Sequence, residues 1–251
     1  MALHGERRGR GPAVALVHGF TQTLRSWDVV ASDLETDHEV VLIDAPGHGR
    51  SAPVVADLAT GGLLIGEAGG RATYVGYSMG ARFCLHLALD HPDLVTGLVL
   101  LGATAGIEDP AERAARREQD RRTADRLDEV GLETFLVEWL AQPLFSSLDP
   151  DQAGLADRLA NSPAGLRSSL EQAGTGTQVP LWDRLDTLTM PVLVVAGARD
   201  ERYSGLAHRL AAAIGPSATA ALVPDAGHAA HLEQPGAFVA LVRAWLDTHG
   251  L

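Results

Sequence analysis

The sequence predicts an α/β fold: a mostly parallel central sheet flanked by helices, with a helical lid inserted into it. Three observations carry this. Short, continuous apolar runs at Ala13–Val17, Val40–Ile43, Leu98–Leu101 and Pro191–Ala196 read as strands buried on both faces, the pattern of a parallel sheet. Helical runs separate these strands, as βαβ units require. From about Gly106 to Leu185 there are helical patterns and no convincing buried strand, so that stretch reads as an insertion. The expected organisation is core over residues 1–105, lid over 106–185 and the remaining core over 186–251.

A chain of 251 residues can bury a full core as one large domain. Its net charge of −12 argues against nucleic acid or an anionic membrane as partner. No segment reaches the length of a membrane span. The lone cysteine, Cys84, forbids an intrachain disulfide and a cysteine-rich zinc site, and in its helix it reads as buried filler. All 20 basic residues are arginine, which excludes Schiff-base chemistry through a lysine. The start of the chain mimics a signal peptide, with arginines before an apolar run. That run is too short for one, reads as a strand, and leaves the chain expected in the cytoplasm.

Ala13–Val17 ends in His18-Gly19-Phe20-Thr21. Ligand sites in open α/β sheets lie beyond strand C-termini, so this turn can offer the Phe20 amide to an oxyanion. His18 itself reads as structural. Trp27–Leu34 reads as a helix. After the strand Val40–Ile43, the segment Asp44–Ser51 is a Gly/Pro-punctuated loop, in which Asp44 and His48 read as hydrogen-bonded loop residues rather than catalytic ones. Leu58–Leu64 is a weak helix, interrupted by Gly61-Gly62.

Ala72–Val75 is a strand, and Gly76-Tyr77-Ser78-Met79-Gly80 follows it and opens the helical run Ala81–Asp90. A Gly-x-Ser-x-Gly between strand and helix is a nucleophile elbow. The helix aims its unpaired amides, that of Met79 first, where negative charge would develop. Arg82, four residues after Ser78, shares its face of the helix. Left unpaired in a closed pocket it would be costly, and a bidentate substrate carboxylate would offset that cost. The structural alternative is a pair with Asp90 or Asp93.

In the insertion, Ala111–Val130 carries arginines, Arg116 among them, between acids, with little apolar face. It reads as a solvated helix laced by pairs such as Glu112–Arg116 and Glu118–Arg122, or as a source of one or two arginines for a polar cavity. Trp139, Leu144 and Phe145 add bulk. Arg158, Asn161 and Arg167 lie in a region broken by Pro163 and glycines. Beyond the insertion, Asp200 follows the strand Pro191–Ala196, and His228 follows the strand Ala220–Val223. The helix Phe238–Leu246 closes the chain. Ser78, Asp200 and His228 thus occur in that order, each just after a strand, and can meet at one sheet edge as nucleophile, orienting acid and base. Asp225 and His231 compete with them in sequence. The Phe20 and Met79 amides are the natural oxyanion donors.

His18-Gly19-Phe20, Asp44-x-Pro46-Gly47-His48-Gly49, the elbow and Asp225-x-Gly227-His228 together resemble the α/β-hydrolase superfamily. Narrower features resemble one branch, the 2-succinyl-6-hydroxy-2,4-cyclohexadiene-1-carboxylate synthases of menaquinone biosynthesis. These are Gly76–Arg82, Ala115-Arg116, Trp139-x-x-Gln142-Pro143-x-Phe145, Arg158-x-x-Asn161 and Gly174-Thr-Gly-x-Gln178. The resemblance implies an α/β-hydrolase fold and a cofactor-independent lyase with no metal. In it a triad-activated serine removes a ring proton, pyruvate is eliminated and no acyl-enzyme forms. It implies a small, multiply carboxylated substrate bound by Arg82, Arg116 and Arg158, in a pocket lined by Tyr77, Trp139 and Phe145. The chain departs from that pattern at Ala81, where a second glycine is frequent, at Tyr203, where phenylalanine is usual, and over the degenerate run Val54–Gly70. The alternatives are a hydrolase of a small ester or carbon–carbon bond in an acidic substrate, and a non-catalytic binding protein of the same fold. The arginine set favours the lyase, and an intact triad disfavours the binding protein.

Overall fold

The computed structural model describes residues 2–251. Its strands are β1 (Gly5–Gly9), β2 (Ala13–Val17), β3 (Glu39–Ile43), β4 (Ala72–Tyr77), β5 (Val95–Leu101), β6 (Val192–Gly197) and β7 (Ala218–Val223). They form one sheet in the order β1-β3-β2-β4-β5-β6-β7, parallel except for β1, which runs antiparallel to β3. The chain steps from β2 to β3 on one side, then returns to β4 on the other. Loops leaving β2 and β4 therefore diverge, and the crevice between them is where open α/β sheets bind ligands.

The core helices are α1 (Asp28–Leu34), α2 (Leu58–Gly69), α3 (Met79–Asp90), α8 (Glu201–Ile214), α9 (Ala230–Glu233) and α10 (Pro235–His249). Between β5 and β6 lie α4 (Pro110–Val130), α5 (Leu132–Leu140), α6 (Leu155–Arg158) and α7 (Pro163–Ala173), with no strand among the described residues of that insertion. Successive strand residues go to opposite faces. Ala15 and Val17 pack with Phe83, Leu87 and Leu210 from α3 and α8, while Val14 and Leu16 pack with Trp27 from the turn before α1 and with Leu34, Phe238 and Leu246 from α1 and α10. Covering both faces is what makes the parallel strands continuously apolar.

Three elements differ from the sequence reading. The charged lead-in forms β1, which hydropathy does not mark because it is an edge strand whose residues alternate between exposed and half-buried. Arg7 reaches Glu39 at 3.1 Å and Arg8 reaches Asp28 at 2.9 Å along this edge. The helix α2 runs unbroken through Gly61-Gly62. A Cβ on Gly61 would lie 2.3 Å from the Phe83 ring and one on Gly66 2.7 Å from Leu87, so these glycines let α2 close on α3, and packing outweighs helix propensity. On α4, Arg116 pairs with Asp120 at 2.8 Å, whereas the sequence reading pairs it with Glu112; Glu118–Arg122 does form, at 3.4 Å.

One close approach of backbone to backbone is at Gly80 in the first turn of α3, where a Cβ would lie 2.2 Å from the Val17 carbonyl oxygen and 2.6 Å from that of His18. Backbone cannot swing aside as a side-chain tip can. Gly80→Ala should therefore destabilise the protein by about 1–3 kcal/mol despite alanine's better helix propensity. Urea unfolding checks this; a midpoint at or above wild type would refute the close-packing account.

Candidate active site

Ser78 has φ 52° and ψ −105°, a left-handed setting that is rare for a residue with a side chain. It is held there from both sides. Its amide donates to the Leu101 carbonyl at 2.8 Å, and its own carbonyl accepts from the Arg82 amide at 3.2 Å. Gly76 and Gly80 serve by close approach: a Cβ on Gly76 would sit 2.6 Å from Ala81 Cα. The strain itself is confined to the serine.

The Ser78 hydroxyl donates to His228 Nε2 at 3.2 Å, and His228 Nδ1 donates to Asp200 Oδ2 at 2.9 Å. Asp200 Oδ1 accepts the Tyr203 amide at 3.1 Å, which ties the acid to the start of α8. Two residues that sequence reasoning missed fix the histidine. Glu233 on α9 accepts the amides on both sides of it, Gly227 at 2.7 Å and Ala229 at 3.0 Å. Gly102, at φ 61°, leaves room for the ring, since a Cβ there would lie 2.9 Å from His228 Cε1. Glu233 carries no local sequence signal; Gly102, a glycine immediately after a buried strand, does. The competitors lie elsewhere. Asp225 pairs with Arg199 at 2.9 Å in solvent, and His231 is 1% exposed, its ring against Trp27 and Tyr77.

Beside the elbow runs the loop Gly19–Thr23. Among the described residues no carbonyl or side chain takes the amide of Phe20 or of Met79, so both are free to donate. The loop is buttressed by two buried histidines with opposite jobs for their two nitrogens. His18 Nδ1 donates to the Gly19 carbonyl (2.8 Å) and its Nε2 accepts the Ala45 amide (3.0 Å). His48 Nδ1 donates to the Pro46 carbonyl (2.9 Å) and its Nε2 accepts the Thr21 amide (3.2 Å). Asp44 accepts the Leu24 and Arg50 amides, both at 2.9 Å. These three are loop scaffolding.

Ser78, His228, Phe20 and Met79 open into a cavity of about 390 Å³ roofed by the insertion. Tyr77, Trp139 and Phe145 line it, and so do Arg82, Arg116 and Arg202, against a single acid, Asp120. Arg82 is 7% exposed, and no carboxylate lies within 4.0 Å of it among the described residues. Asp90 is taken by Arg184 at 2.8 Å. One arm of the Arg82 fork donates to the Ala173 carbonyl at 2.7 Å, at the C-terminal and partly negative end of α7. Burial lowers its pKa to about 10, so it stays protonated at neutral pH. Arg116 is partly neutralised by Asp120, whose other oxygen accepts the Gly176 amide at 3.0 Å.

Arg158 corrects the sequence reading. It does not line this cavity. Its guanidinium is spent behind the Gly19–Thr23 loop, donating to the Ala153 carbonyl at 2.7 Å and to the Thr21 hydroxyl. The third arginine on the cavity wall is Arg202, two residues after Asp200, which sequence reasoning passed over because an arginine at a helix start is ordinary surface.

The alpha/beta hydrolase family model matches residues 14–241. A Bacillus subtilis (strain 168) protein provisionally named 2-succinyl-6-hydroxy-2,4-cyclohexadiene-1-carboxylate synthase is 34% identical over 98% of this chain and 94% of its own. The Escherichia coli O1:K1 / APEC protein of that name is 31% identical over 96% of this chain and 97% of its own. Among solved structures, MenH from S. aureus superposes with a TM-score of 0.91 at 27% identity, covering 99% of both chains.

The scaffolding histidines make stability pH-dependent. Burial lowers His18 to about 4 and His48 to about 3 from an ordinary value of 6.5, and drives His231 down as well. Folded, they stay neutral; unfolded, they take up protons as pH falls through 6.5. Stability is therefore complete above pH 7 and is lost between about 6.5 and 4, by up to ~1.4 kcal/mol per pH unit for each histidine. Urea midpoints should be level from pH 8 to 7 and fall clearly by pH 5; an unchanged midpoint at pH 5 would contradict neutral burial.

Proposed function

The chain belongs to the alpha/beta hydrolase family and, within it, to the family of 2-succinyl-6-hydroxy-2,4-cyclohexadiene-1-carboxylate synthases, and we propose that it catalyses the reaction for which that family is named. The substrate is 2-succinyl-5-enolpyruvyl-6-hydroxy-3-cyclohexene-1-carboxylate, and the products are the cyclohexadiene and pyruvate. The observation that carries this reading is Arg82: a buried guanidinium with no carboxylate partner, on the wall of the cavity that holds Ser78 and His228. A neutral ester gives such a group nothing to bind, whereas a substrate carboxylate completes it.

In this mechanism His228 Nε2 accepts the Ser78 proton while Asp200 holds the imidazole's orientation and stabilises imidazolium. Ser78 Oγ then removes the ring proton beside the succinyl carbonyl. Negative charge moves onto that carbonyl oxygen, where the Phe20 and Met79 amides meet it. The ring double bond shifts, the carbon–oxygen bond to the enolpyruvyl group breaks, and pyruvate leaves after taking up a proton. No bond forms to the serine and no water is consumed. Arg82, Arg116 and Arg202 bind the substrate carboxylates, while Tyr77, Trp139 and Phe145 wall the ring. No cofactor takes part, and the reaction is assigned to the cytoplasm. Among the described residues no helix is long and apolar enough to cross a membrane.

Given the cyclohexene substrate, the protein should release one pyruvate per turnover, and in oxygen-18 water neither product should gain enzyme-dependent label. Burst turnover of p-nitrophenyl esters with no pyruvate release would favour a hydrolase instead. Ser78→Ala, Asp200→Asn and His228→Ala should each lower kcat by orders of magnitude in a folded protein. Arg82→Ala should lower kcat/KM by about 100-fold, with a smaller loss for Arg202→Ala at the exposed rim. Raising salt should shrink the Arg202 effect more than the Arg82 effect; equal salt responses would argue against their different burial in the bound state.

A further inference from the structure

The lid grips the loop that follows the Phe20 amide at two residues, Thr21 and Thr23. Arg158 Nη1 donates to the Thr21 hydroxyl. Asn161 Nδ2 donates to the Thr21 carbonyl at 2.7 Å, and its Oδ1 accepts the Gly49 amide at 2.9 Å, which ties in the neighbouring loop. Asp157 accepts the Thr23 hydroxyl at 2.7 Å. Between these, Gln22 folds back so that its Oε1 accepts the Gly19 amide at 2.9 Å. Thr21 itself is left-handed, at φ 66°, a conformation that a β-branched residue does not keep without being held. Arg158 is 2% exposed, and no carboxylate lies within 4.0 Å of it among the described residues, so its position is not explained by an ion pair. A Phe20–Trp139 edge contact, with ring centroids 5.0 Å apart, adds a further lid-to-loop tie.

We propose that Arg158 and Asn161 are positioning residues which, through Thr21, hold the Phe20 amide in its oxyanion-binding direction, so that docking of α6 and assembly of the oxyanion hole are one event. This rests on the reading of Phe20 as an oxyanion donor. It gives Arg158 a role other than carboxylate binding. Its charge, buried and unpaired, is fixed behind the loop where an oxyanion would form, and its fork fixes the one residue in the loop whose backbone is strained. An amide aimed badly by a fraction of an ångström loses most of its value, because such donors act by preorganisation.

The test uses a neutral probe that cannot report on carboxylate binding: diethyl p-nitrophenyl phosphate with the full-length protein. Ser78 Oγ forms a bond to phosphorus, the bond to p-nitrophenolate breaks, the serine proton passes to His228, and the phosphoryl oxygen occupies the Phe20–Met79 site. Thr21→Val, Arg158→Met and Asn161→Ala should each slow phosphorylation by about 10-fold or more at unchanged probe affinity. Thr21→Val with Arg158→Met should be no slower than the slower single variant, since both remove one contact. Thr21→Ser keeps the hydroxyl and should stay within about 3-fold of wild type. Where Arg158→Met does not fold, Thr21→Val removes the same contact from the loop side. Wild-type phosphorylation rates in folded Thr21→Val or Arg158→Met would overturn the clamp. So would a loss in Arg158→Met confined to KM for an anionic substrate, which would mark a carboxylate ligand. Absence of Ser78-dependent labelling in the wild type would instead overturn the catalytic reading, and the clamp with it.

Discussion

The contact on which the rest of the site depends is the approach of the first turn of α3 to the end of β2. Only a glycine at 80 lets the helix come that near to the Val17 and His18 carbonyls. That approach puts the Met79 amide opposite the loop that carries Phe20, and it forces the strand-to-helix turn to be so sharp that Ser78 is driven into a left-handed backbone. Backbone strain of this kind costs about 1–3 kcal/mol and persists only when its surroundings over-determine it. Here the Ser78 amide bond to Leu101, the registry of Val17 with Gly76 and the packing of α2 on α3 supply that determination.

Electrostatics is organised against the chain's overall sign. A net charge of −12 repels an anionic ligand at long range, but screening confines that effect to about 8 Å in physiological salt. Inside the cavity the wall is locally positive, with Arg82, Arg116 and Arg202 facing one aspartate. The buried histidines show the complementary economy. Each takes one hydrogen bond in and gives one out while neutral, so His18 and His48 stiffen the loop beside Ser78 without adding charge to it.

The insertion is therefore more than a cover. It supplies Arg116, Trp139 and Phe145 to the cavity wall, the Ala173 carbonyl that anchors Arg82, and the Arg158–Asn161 contacts that reach behind the Phe20 loop. The two halves of the core meet directly at Ser78 and His228, and a segment that forms no part of the sheet completes the cavity around them.

The sequence by itself determined the parallel core, the elbow, the order Ser78, Asp200, His228 and the chemical character of the pocket. These are written locally: burial on both faces makes a strand apolar throughout, and strand-end positions follow from the strands. It also marked Asp44, His18 and His48 as scaffolding. What only the tertiary structure decided was the partner of each long or edge-lying group. The strand β1 was illegible because an edge carries no apolar signature, and α2 looked broken because glycines that weaken an isolated helix are the ones that admit Phe83 and Leu87. Arg116 chose Asp120 over Glu112, both at helical spacing, because Asp120 is also fixed by the Gly176 amide. Arg158, expected on the cavity wall, lies behind the loop, and Arg202, to which the sequence reading gave no role, lines the wall instead. A guanidinium on a flexible stem can reach several neighbours, and which of them it meets is set by the packing of segments far apart in sequence.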